Sequence, residues 1–251
     1  MIELTSSDGH NFSAYRADPS EAPKGAVVVL QDYSGLSAHI QKEVDGFAAR
    51  GYVAIAPSLF DREKKNSSPD EAEGEELAKQ VPVDVALQDI QAAVDAVKGA
   101  GKVAIVGYSW GGFLAFLSAN NLHDVACAIG YSAAQVTEQR VEKRKIPTLL
   151  HFPEGDPSLP TDAIIQFRAV RPDVSAFGYP SAKIGFNFED SEGFDAESAN
   201  AAQERTLFFI SQFVEGQAPV SLKNAGAYAQ AKVEKKKKKS SGGDDMGPPM
   251  D

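Results

Sequence analysis

The sequence predicts an α/β protein: a mostly parallel β-sheet covered by helices on both faces, with an antiparallel hairpin at one edge. Three observations lead to this class. Short apolar runs recur along the chain, and each has the length of a buried strand. Segments with helical period lie between these runs, and strands that alternate with helices pair in parallel. The first residues instead form two short runs around a glycine turn, which indicates a hairpin.

Six apolar runs are the strand candidates for the parallel sheet. Each has four to six residues, which favours strands over helices. They cover residues 26–30, 52–56, 103–106, 125–129, 147–152 and 174–179. The hairpin candidate precedes them, with strands at 2–5 and 12–15 on either side of a turn at 7–9.

The spacing of apolar residues predicts three helices. The clearest begins with Asp84 as its N-cap, ends before Gly99, and has one apolar face made of Val83, Leu87, Ile90, Val94 and Val97. A second helix follows Ser37 and ends at Gly51. The last covers about residues 195–215, and its apolar stripe is Ala199, Ala202, Phe209 and Phe213.

The composition excludes several classes of protein. A chain of 251 residues with 43% hydrophobic residues can bury a large core in one domain. Its net charge of -10 argues against binding nucleic acid through phosphates. The single cysteine, Cys127, excludes an internal disulfide and a zinc site built on several cysteines, and its apolar neighbours predict burial. The lack of a signal sequence and of 18 successive apolar residues predicts a cytoplasmic protein without a transmembrane segment.

The chain is predicted to have a folded domain at residues 1–222 and a lysine-rich tail at 223–251. The tail contains five successive lysines, at 235–239, and has a net charge of +3, so the folded part carries about -13. Such a composition cannot bury apolar area, which predicts disorder. Weak tethering to anionic surfaces, or a localisation signal, is the alternative role for the tail.

The stretch GYSWG at residues 107–111 fits the pattern G-x-S-x-G and predicts a nucleophile at Ser109. An apolar run precedes it and a helical segment follows it, as a serine in a strained strand-to-helix turn requires. The small residues two positions to either side avoid clashes in that turn. A tight turn that needs glycine only for packing is the alternative.

A serine nucleophile for acyl transfer needs an oxyanion hole and an acid. The N–H of Trp110, next to the nucleophile, is one candidate donor. The loop after the first parallel strand offers the N–H of Tyr33 as the second. Asp156 follows a later strand and is the candidate acid. An Asp-Pro turn alone is more often structural, but the context of Ser109 favours the catalytic interpretation.

Taken together, these stretches resemble the dienelactone hydrolase family of α/β-hydrolases over roughly residues 1–215. The segments that carry the resemblance are VVLQDYSGLSAHI (28–40), GYVAIAPSLF (51–60), VGYSWGGFLAF (106–116), LLHFPEGDPSLP (149–160), FGYPSAKIGF (177–186) and QERTLFFISQF (203–213). The resemblance implies the α/β-hydrolase fold and hydrolysis of a small carboxylic ester or lactone by Ser or Cys, Asp and His. It also implies no cofactor, no metal and a monomer.

The resemblance assigns roles to individual residues. By position, the nucleophile corresponds to Ser109 and the acid to Asp156. The oxyanion donors correspond to Tyr33 and Trp110. Asp32 occupies the position at which the family often has a glutamate that interacts with the nucleophile.

The histidine of the triad is missing from its expected position. The family has a segment similar to Tyr-x-x-Ala-x-His-Gly-Phe, and residues 179–186 read YPSAKIGF, with Ile184 at the histidine position. The chain's histidines, at 10, 39, 123 and 151, all precede Asp156, whereas the triad histidine follows the acid. Isoleucine cannot accept the proton of a serine hydroxyl, so low or altered activity is expected.

Three other side chains are alternative bases. Lys183 is next to Ile184 and needs a lowered pKa to serve. His39 lies early in the helix after the oxyanion loop, where it is expected to line the pocket or to be a partly exposed helix residue. Asp32 is a weaker candidate, because a carboxylate with a pKa near 4 is a poor base unless it is desolvated.

The pocket is predicted to suit a neutral or apolar ligand. Family members hold a substrate carboxylate with arginines, one of them shortly after the histidine, and the matching position here is Phe188. Phe186 and Trp110 add aromatic surface near the pocket. Three hypotheses follow: a hydrolase with altered machinery, a degenerate member that binds a small molecule or protein without turnover, and an interaction protein in which the tail matters most.

Overall fold

A computed structural model describes residues 1–65, 67, 69–138 and 143–216. The predicted tail at 223–251 lies outside these residues. The strands are β1 (Ile2–Thr5), β2 (Asn11–Ala17), β3 (Ala26–Leu30), β4 (Val53–Pro57), β5 (Val103–Tyr108), β6 (Val125–Tyr131), β7 (Thr148–Pro153) and β8 (Ser175–Tyr179). The helices are α1 (Ala38–Ala49), α2 (Glu71–Gln80), α3 (Val83–Val97), α4 (Trp110–Asn121), α5 (Thr161–Val170) and α6 (Ala196–Phe213). Short 3-10 helices cover Leu59–Arg62, Lys98–Ala100 and Ala134–Glu138.

The described strands form one sheet in the order β1-β2-β4-β3-β5-β6-β7-β8. Strands β3 to β8 pair in parallel, whereas β1 and β2 are antiparallel to their neighbours. The hairpin predicted at the N-terminus therefore forms one edge of the sheet, as expected. The predicted fold class is confirmed, since helices also cover both faces.

Alternate residues of β3 show how the two faces are covered. Val27 and Val29 pack in one apolar cluster with residues of α1 and α6. Val28 and Leu30 pack in another cluster with residues of α3 and α4. Both sides of this central strand are therefore buried, which is why its sequence is apolar throughout rather than alternating. Within the described residues, no helix is both long enough and apolar enough to cross a bilayer.

The start of α3 differs from the prediction. Its N-cap is Pro82, not Asp84, because the carbonyl of Pro82 accepts the first helical hydrogen bonds, from the N–H groups of Val85 and Ala86. Asp84 lies in the first turn of the helix, where a carboxylate interacts favourably with the helix dipole. The helix ends at Val97, as the apolar spacing predicted.

The buried face of α6 also differs from the predicted stripe. Its buried residues are Ser198, Ala202, Thr206 and Ile210, whereas Phe209 and Phe213 are only partly buried. Apolar spacing missed this face because two of its members are polar. Thr206 is tolerated there because its hydroxyl lies 2.7 Å from the Tyr131 hydroxyl and 3.0 Å from Nε2 of His151.

Cys127 is fully buried in β6, as predicted. Burial raises the pKa of its thiol to about 12. The thiolate, which is the reactive form of cysteine, is therefore absent at neutral pH in the folded protein.

The strand order creates a crevice beside β3. The chain leaves β3 toward β4 on one side, and β5 joins β3 on the other side. In open parallel sheets, ligands bind outside the carboxyl ends of strands at such a reversal of order. Gln31–Tyr33 follow β3, and Ser109 follows β5. Both loops of the candidate site therefore meet at the carboxyl ends of these strands.

Candidate active site

Ser109 forms a sharp corner between β5 and α4. Its φ is 50° and its ψ is -114°, a conformation that non-glycine residues rarely adopt. Two backbone hydrogen bonds hold the corner: the N–H of Ser109 donates to the Tyr131 carbonyl at 2.8 Å, and its carbonyl accepts from Phe113 at 3.0 Å. A residue strained in this way at a strand-to-helix turn is the geometry of a nucleophile elbow.

The glycines of the motif are required by close backbone contacts. A Cβ on Gly107 would lie 2.0 Å from the carbonyl oxygen of Gly111. A Cβ on Gly111 would lie 2.3 Å from the carbonyl oxygen of Gln31, in the loop after β3. These distances are too short for any side chain, so the glycines bring the elbow against the other loop of the site.

Among the described residues, no hydrogen-bond acceptor faces the backbone N–H of Trp110 or that of Tyr33. The N–H of Trp110 is the first of α4, where helical N–H groups lack an internal acceptor. The Trp110 ring is buried and stacks on Phe60, with ring centroids 5.3 Å apart.

The loop that carries Tyr33 is fixed from the outside. Helix α2 packs so closely on it that a Cβ on Gly74 would lie 1.6 Å from the Tyr33 carbonyl oxygen. Within the loop, Oδ1 of Asp32 accepts a hydrogen bond from the Ser34 N–H at 2.7 Å. The Tyr33 hydroxyl accepts another from Nε2 of Gln135 at 3.0 Å. These contacts hold the backbone of the loop against the elbow.

Ser109 opens on a cavity of about 370 Å³, which is large enough for a small organic ligand. The cavity is lined by Asp32, Tyr33, Ser34, Glu71, Tyr108, Ser109, Tyr131, Ser132, Ile184, Gly185, Asn187, Phe188, Ser191, Glu192 and Gly193. Five residues singled out in the sequence are therefore brought together: Asp32, Tyr33, Ser109, Ile184 and Phe188.

Asp32 is the most shielded acid of this cavity. Burial raises the pKa of Asp32, and the nearby carboxylate of Glu71 acts in the same direction, while hydrogen bonds with Ser34 oppose both effects. The side chain is thus a stronger base than an exposed aspartate.

The other residues predicted for the site lie outside the lining of this cavity. Phe186 is fully buried in the core, with its ring 5.2 Å from that of Tyr179. Lys183 is exposed. Ile184, which does line the cavity, is 45% exposed, so it is not needed to fill the core.

Asp156 is buried and already accepts two hydrogen bonds. Its Oδ1 lies 2.8 Å from the Ser158 N–H and 2.6 Å from the Ser158 hydroxyl. Its loop is attached to the segment before Ile184, since the N–H of Gly155 donates to the Ala182 carbonyl at 2.8 Å. The two loops are therefore neighbours, although Asp156 does not reach the cavity.

His39 and Phe188 form a wall between two cavities. Their ring centroids are 3.6 Å apart, and Phe188 faces the Ser109 cavity while His39 lines a second cavity of about 340 Å³. Tyr108 and Tyr131 line both cavities. Burial lowers the pKa of His39 to about 4, with a smaller effect from Lys42, so its ring is neutral at pH 7. Phe188 separates that ring from the Ser109 cavity.

Sequence reasoning missed several residues of the site. Three of them follow from position: Tyr108 ends β5, Tyr131 ends β6 beside it, and Ser132 comes directly after β6. Ser132 has a φ of 51°, and nothing in the sequence marked that conformation. Glu71 lies in a helix whose apolar pattern is too weak to have been predicted.

A surface group of potential metal ligands lies away from the cavity. Asp95, His123 and Asp124 have ligand atoms within 4.8 Å of one another. The Lys98 ammonium bonds to both carboxylates, at 2.8 and 3.1 Å, and so compensates their charge. Asp124 comes directly before β6, at the amino ends of the parallel strands, whereas Ser109 lies at their carboxyl ends. The group fits a solvated ion-pair network.

The eight-stranded sheet and the serine elbow after β5 define an α/β-hydrolase. The sequence profile of the dienelactone hydrolase family matches residues 12–214, and the chain belongs to this family. The resemblance noted in the sequence is thereby confirmed at the level of the family.

Individual relatives agree with this assignment. The carboxymethylenebutenolidase of Pseudomonas putida is 30% identical over 225 residues, which cover 84% of this chain and 95% of that protein. Carboxymethylenebutenolidase 1 of Cupriavidus pinatubonensis is 28% identical over 228 residues, covering 84% and 95%. A solved structure from Klebsiella pneumoniae, described as a dienelactone hydrolase, has a TM-score of 0.74 at 26% identity and covers 84% of this chain and 99% of that one.

Proposed function

We propose that the protein hydrolyses a small carboxylic ester or lactone with Ser109 as nucleophile, at a low rate because the triad histidine is replaced by Ile184. The observation that carries the proposal is the Ser109 corner, with a φ of 50° beside the unbonded N–H of Trp110. The cavity in front of Ser109 and membership of a hydrolase family support it.

The proposed reaction has two steps. The Ser109 hydroxyl oxygen attacks the carbonyl carbon of the ester, its proton passes to a base, and the N–H groups of Trp110 and Tyr33 bind the oxyanion. Collapse of this tetrahedral species breaks the bond to the alcohol oxygen, which takes up the proton. Water then attacks the acyl-serine in the same way and releases the carboxylic acid.

Asp32 is the proposed base. It lines the same cavity as Ser109, and burial raises its pKa. Its ionised form accepts the proton, so hydrolysis should slow as the pH falls through this raised pKa. A carboxylate is still a much weaker base than a neutral imidazole, which is consistent with slow turnover.

Reaction with a fluorophosphonate probe tests the nucleophile. We expect slow labelling of the wild-type protein. Labelling should be absent in Ser109→Ala and strongly reduced in Asp32→Asn. Ser118→Ala is the matched control, because Ser118 is buried in α4 and its hydroxyl bonds to the Leu114 carbonyl. Labelling that persists in Ser109→Ala would refute the assignment of the nucleophile.

Ile184→His tests whether the base alone is missing. The substitution places an imidazole in the lining of the Ser109 cavity, next to the loop of Asp156. We expect ester hydrolysis to increase by about 10²–10⁴-fold, the usual contribution of general acid–base catalysis. Steady-state kinetics on a p-nitrophenyl ester measure it, with Lys183→His as the control one residue away.

A protein that binds a small molecule or a partner without turnover is the second candidate. The observation in its favour is that the described residues lining the Ser109 cavity include no histidine and no lysine. Absence of labelling in the wild-type protein, together with hydrolysis by Ile184→His, would support this function over the slow hydrolase.

A further inference from the structure

The charged residues that line the Ser109 cavity, among those the structure describes, are all acidic. Its described lining includes three carboxylates, Asp32, Glu71 and Glu192, and no Lys or Arg. Asp32 is partly buried, whereas Glu71 and Glu192 are exposed. Lys183 is close in sequence but does not line the cavity. Acidic groups with one shielded member attract cations and repel carboxylate ligands.

The same cavity is lined by aromatic rings. Tyr108 lies between Tyr131 and Phe188, with ring centroids 5.1 and 5.6 Å away, and Tyr33 is on the Asp32 side. Aromatic faces attract alkylammonium groups electrostatically, most strongly where water is excluded. Carboxylates and aromatic rings together form the surface that recognises a substituted ammonium ion.

The cavity also suits the size of such a ligand. Its volume of about 370 Å³ is at the lower end of the range for small-molecule sites. The cavity is also lined by uncharged polar residues: Ser34, Ser132, Asn187 and Ser191. They can hydrogen-bond the ester oxygens but do not supply a positive charge.

We propose that this cavity selects esters that carry a substituted ammonium group over neutral isosteres and over carboxylate-bearing esters. For turnover, the inference rests on the proposed function; for binding, it does not. Asp32 and the aromatic rings would contact the cation, while Glu71 and Glu192 would raise its local concentration.

Binding to the Ser109→Ala protein tests the inference without turnover. Three thioesters that differ in charge serve as probes. They are the cation acetylthiocholine, its neutral isostere S-(3,3-dimethylbutyl) thioacetate and the anion 3-(acetylthio)propionate. We expect the cation to bind about 10-fold more tightly than its neutral isostere at low salt, with the anion weakest. Equal affinities, or tighter binding of the anion, would overturn the proposal.

Charge variants identify the origin of the preference. In the Ser109→Ala background, Glu71→Gln with Glu192→Gln should lower the ratio of cation to neutral affinity by about 2–10-fold, as for exposed charges. Glu73→Gln is the control: Glu73 lies in the same helix but pairs with Lys64 and does not line the cavity. An unchanged ratio in the double variant would exclude a role for the rim carboxylates and contradict the proposal.

Turnover by the wild-type protein distinguishes the proposed hydrolase activity from the proposed selectivity for cations. Thiol release from the three probes reports kcat/KM for each charge. If no probe is hydrolysed but the cation binds best, the proposed function fails and the selectivity stands. If all three are hydrolysed with equal kcat/KM and bind equally, the hydrolase stands and the selectivity is refuted.

Discussion

The backbone of Ser109 is strained. A φ of 50° with a ψ of -114° is unfavourable for a residue with a Cβ, by about 1–3 kcal/mol. The hydrogen bonds to Tyr131 and Phe113 hold it there. The turn itself would therefore be more favourable with glycine at this position.

This strain predicts that Ser109→Gly is more stable than Ser109→Ala. Glycine adopts positive φ without a steric penalty, whereas alanine keeps the Cβ. We expect the glycine variant to have a free energy of unfolding about 1 kcal/mol higher, measured by urea denaturation. Both variants lack the hydroxyl, so they differ only at Cβ. Equal stabilities would show that the corner is not strained.

The residues of the elbow could be predicted from the sequence because backbone geometry restricts them. Gly107 and Gly111 leave no space for a Cβ, so a short pattern of residue types is sufficient to indicate the turn. The positive φ of Ser132 and the raised pKa of Asp32 could not be predicted. Both depend on neighbours that are distant in sequence and are brought together only by the fold.

At the scale of elements, α6 and the sheet are joined by a buried chain of polar groups. The Tyr131 hydroxyl, the Thr206 hydroxyl and His151 lie within hydrogen-bond distance in series. His151 continues through Nδ1 to the Tyr179 hydroxyl at 2.8 Å, which accepts from Arg205 at 3.2 Å. Because these groups are shielded from water, each needs its partner.

Thr206→Val should therefore destabilise the protein by about 1–3 kcal/mol. Valine has the same shape, but it leaves the Tyr131 hydroxyl and Nε2 of His151 buried without this partner. Thr206→Ser keeps the hydroxyl and should cost less. Chemical denaturation of both variants measures the difference. A valine variant as stable as the serine variant would show that the polar chain contributes little.

The strands were predicted to within about two residues at their ends because apolar runs between turn residues mark them. The 52–56 run, for example, is Val53–Pro57 in the structure. The buried face of α6 was not predicted, since Ser198 and Thr206 are polar and their partners lie on other elements. The second cavity could not be predicted from the sequence either, because the contact of His39 with Phe188 joins two segments that are distant in the chain.

For the whole molecule, buried histidines predict sensitivity to acid. Burial lowers the pKa of His151 to about 3, with a smaller effect from Arg205, while in the unfolded chain the pKa is near 6.5. Between these values the unfolded state binds more protons, so stability falls as the pH falls below about 6.5. At pH 5.5 the loss from His151 is about 1.4 kcal/mol. His39, with a pKa of about 4, acts in the same direction.

His151→Gln should remove this part of the pH dependence. The free energy of unfolding should change by about 1.4 kcal/mol less between pH 7.5 and 5.5 than in the wild type. Asp32 and Glu43, whose pKa values burial raises, have opposite effects that are common to both proteins and cancel. His123→Gln, which removes a histidine that is 68% exposed, is the control. An equal effect of both substitutions would contradict the assignment.

The burial of Cys127 makes the protein suitable for labelling at an introduced cysteine. It is the single cysteine of the chain, and its fully buried thiol is protected from electrophiles while the fold is closed. In Ser109→Cys the new side chain would thus be the one accessible thiol among the described residues, and a fluorophore attached there would lie at the cavity. Modification of Cys127 itself would then record the rate at which the core opens.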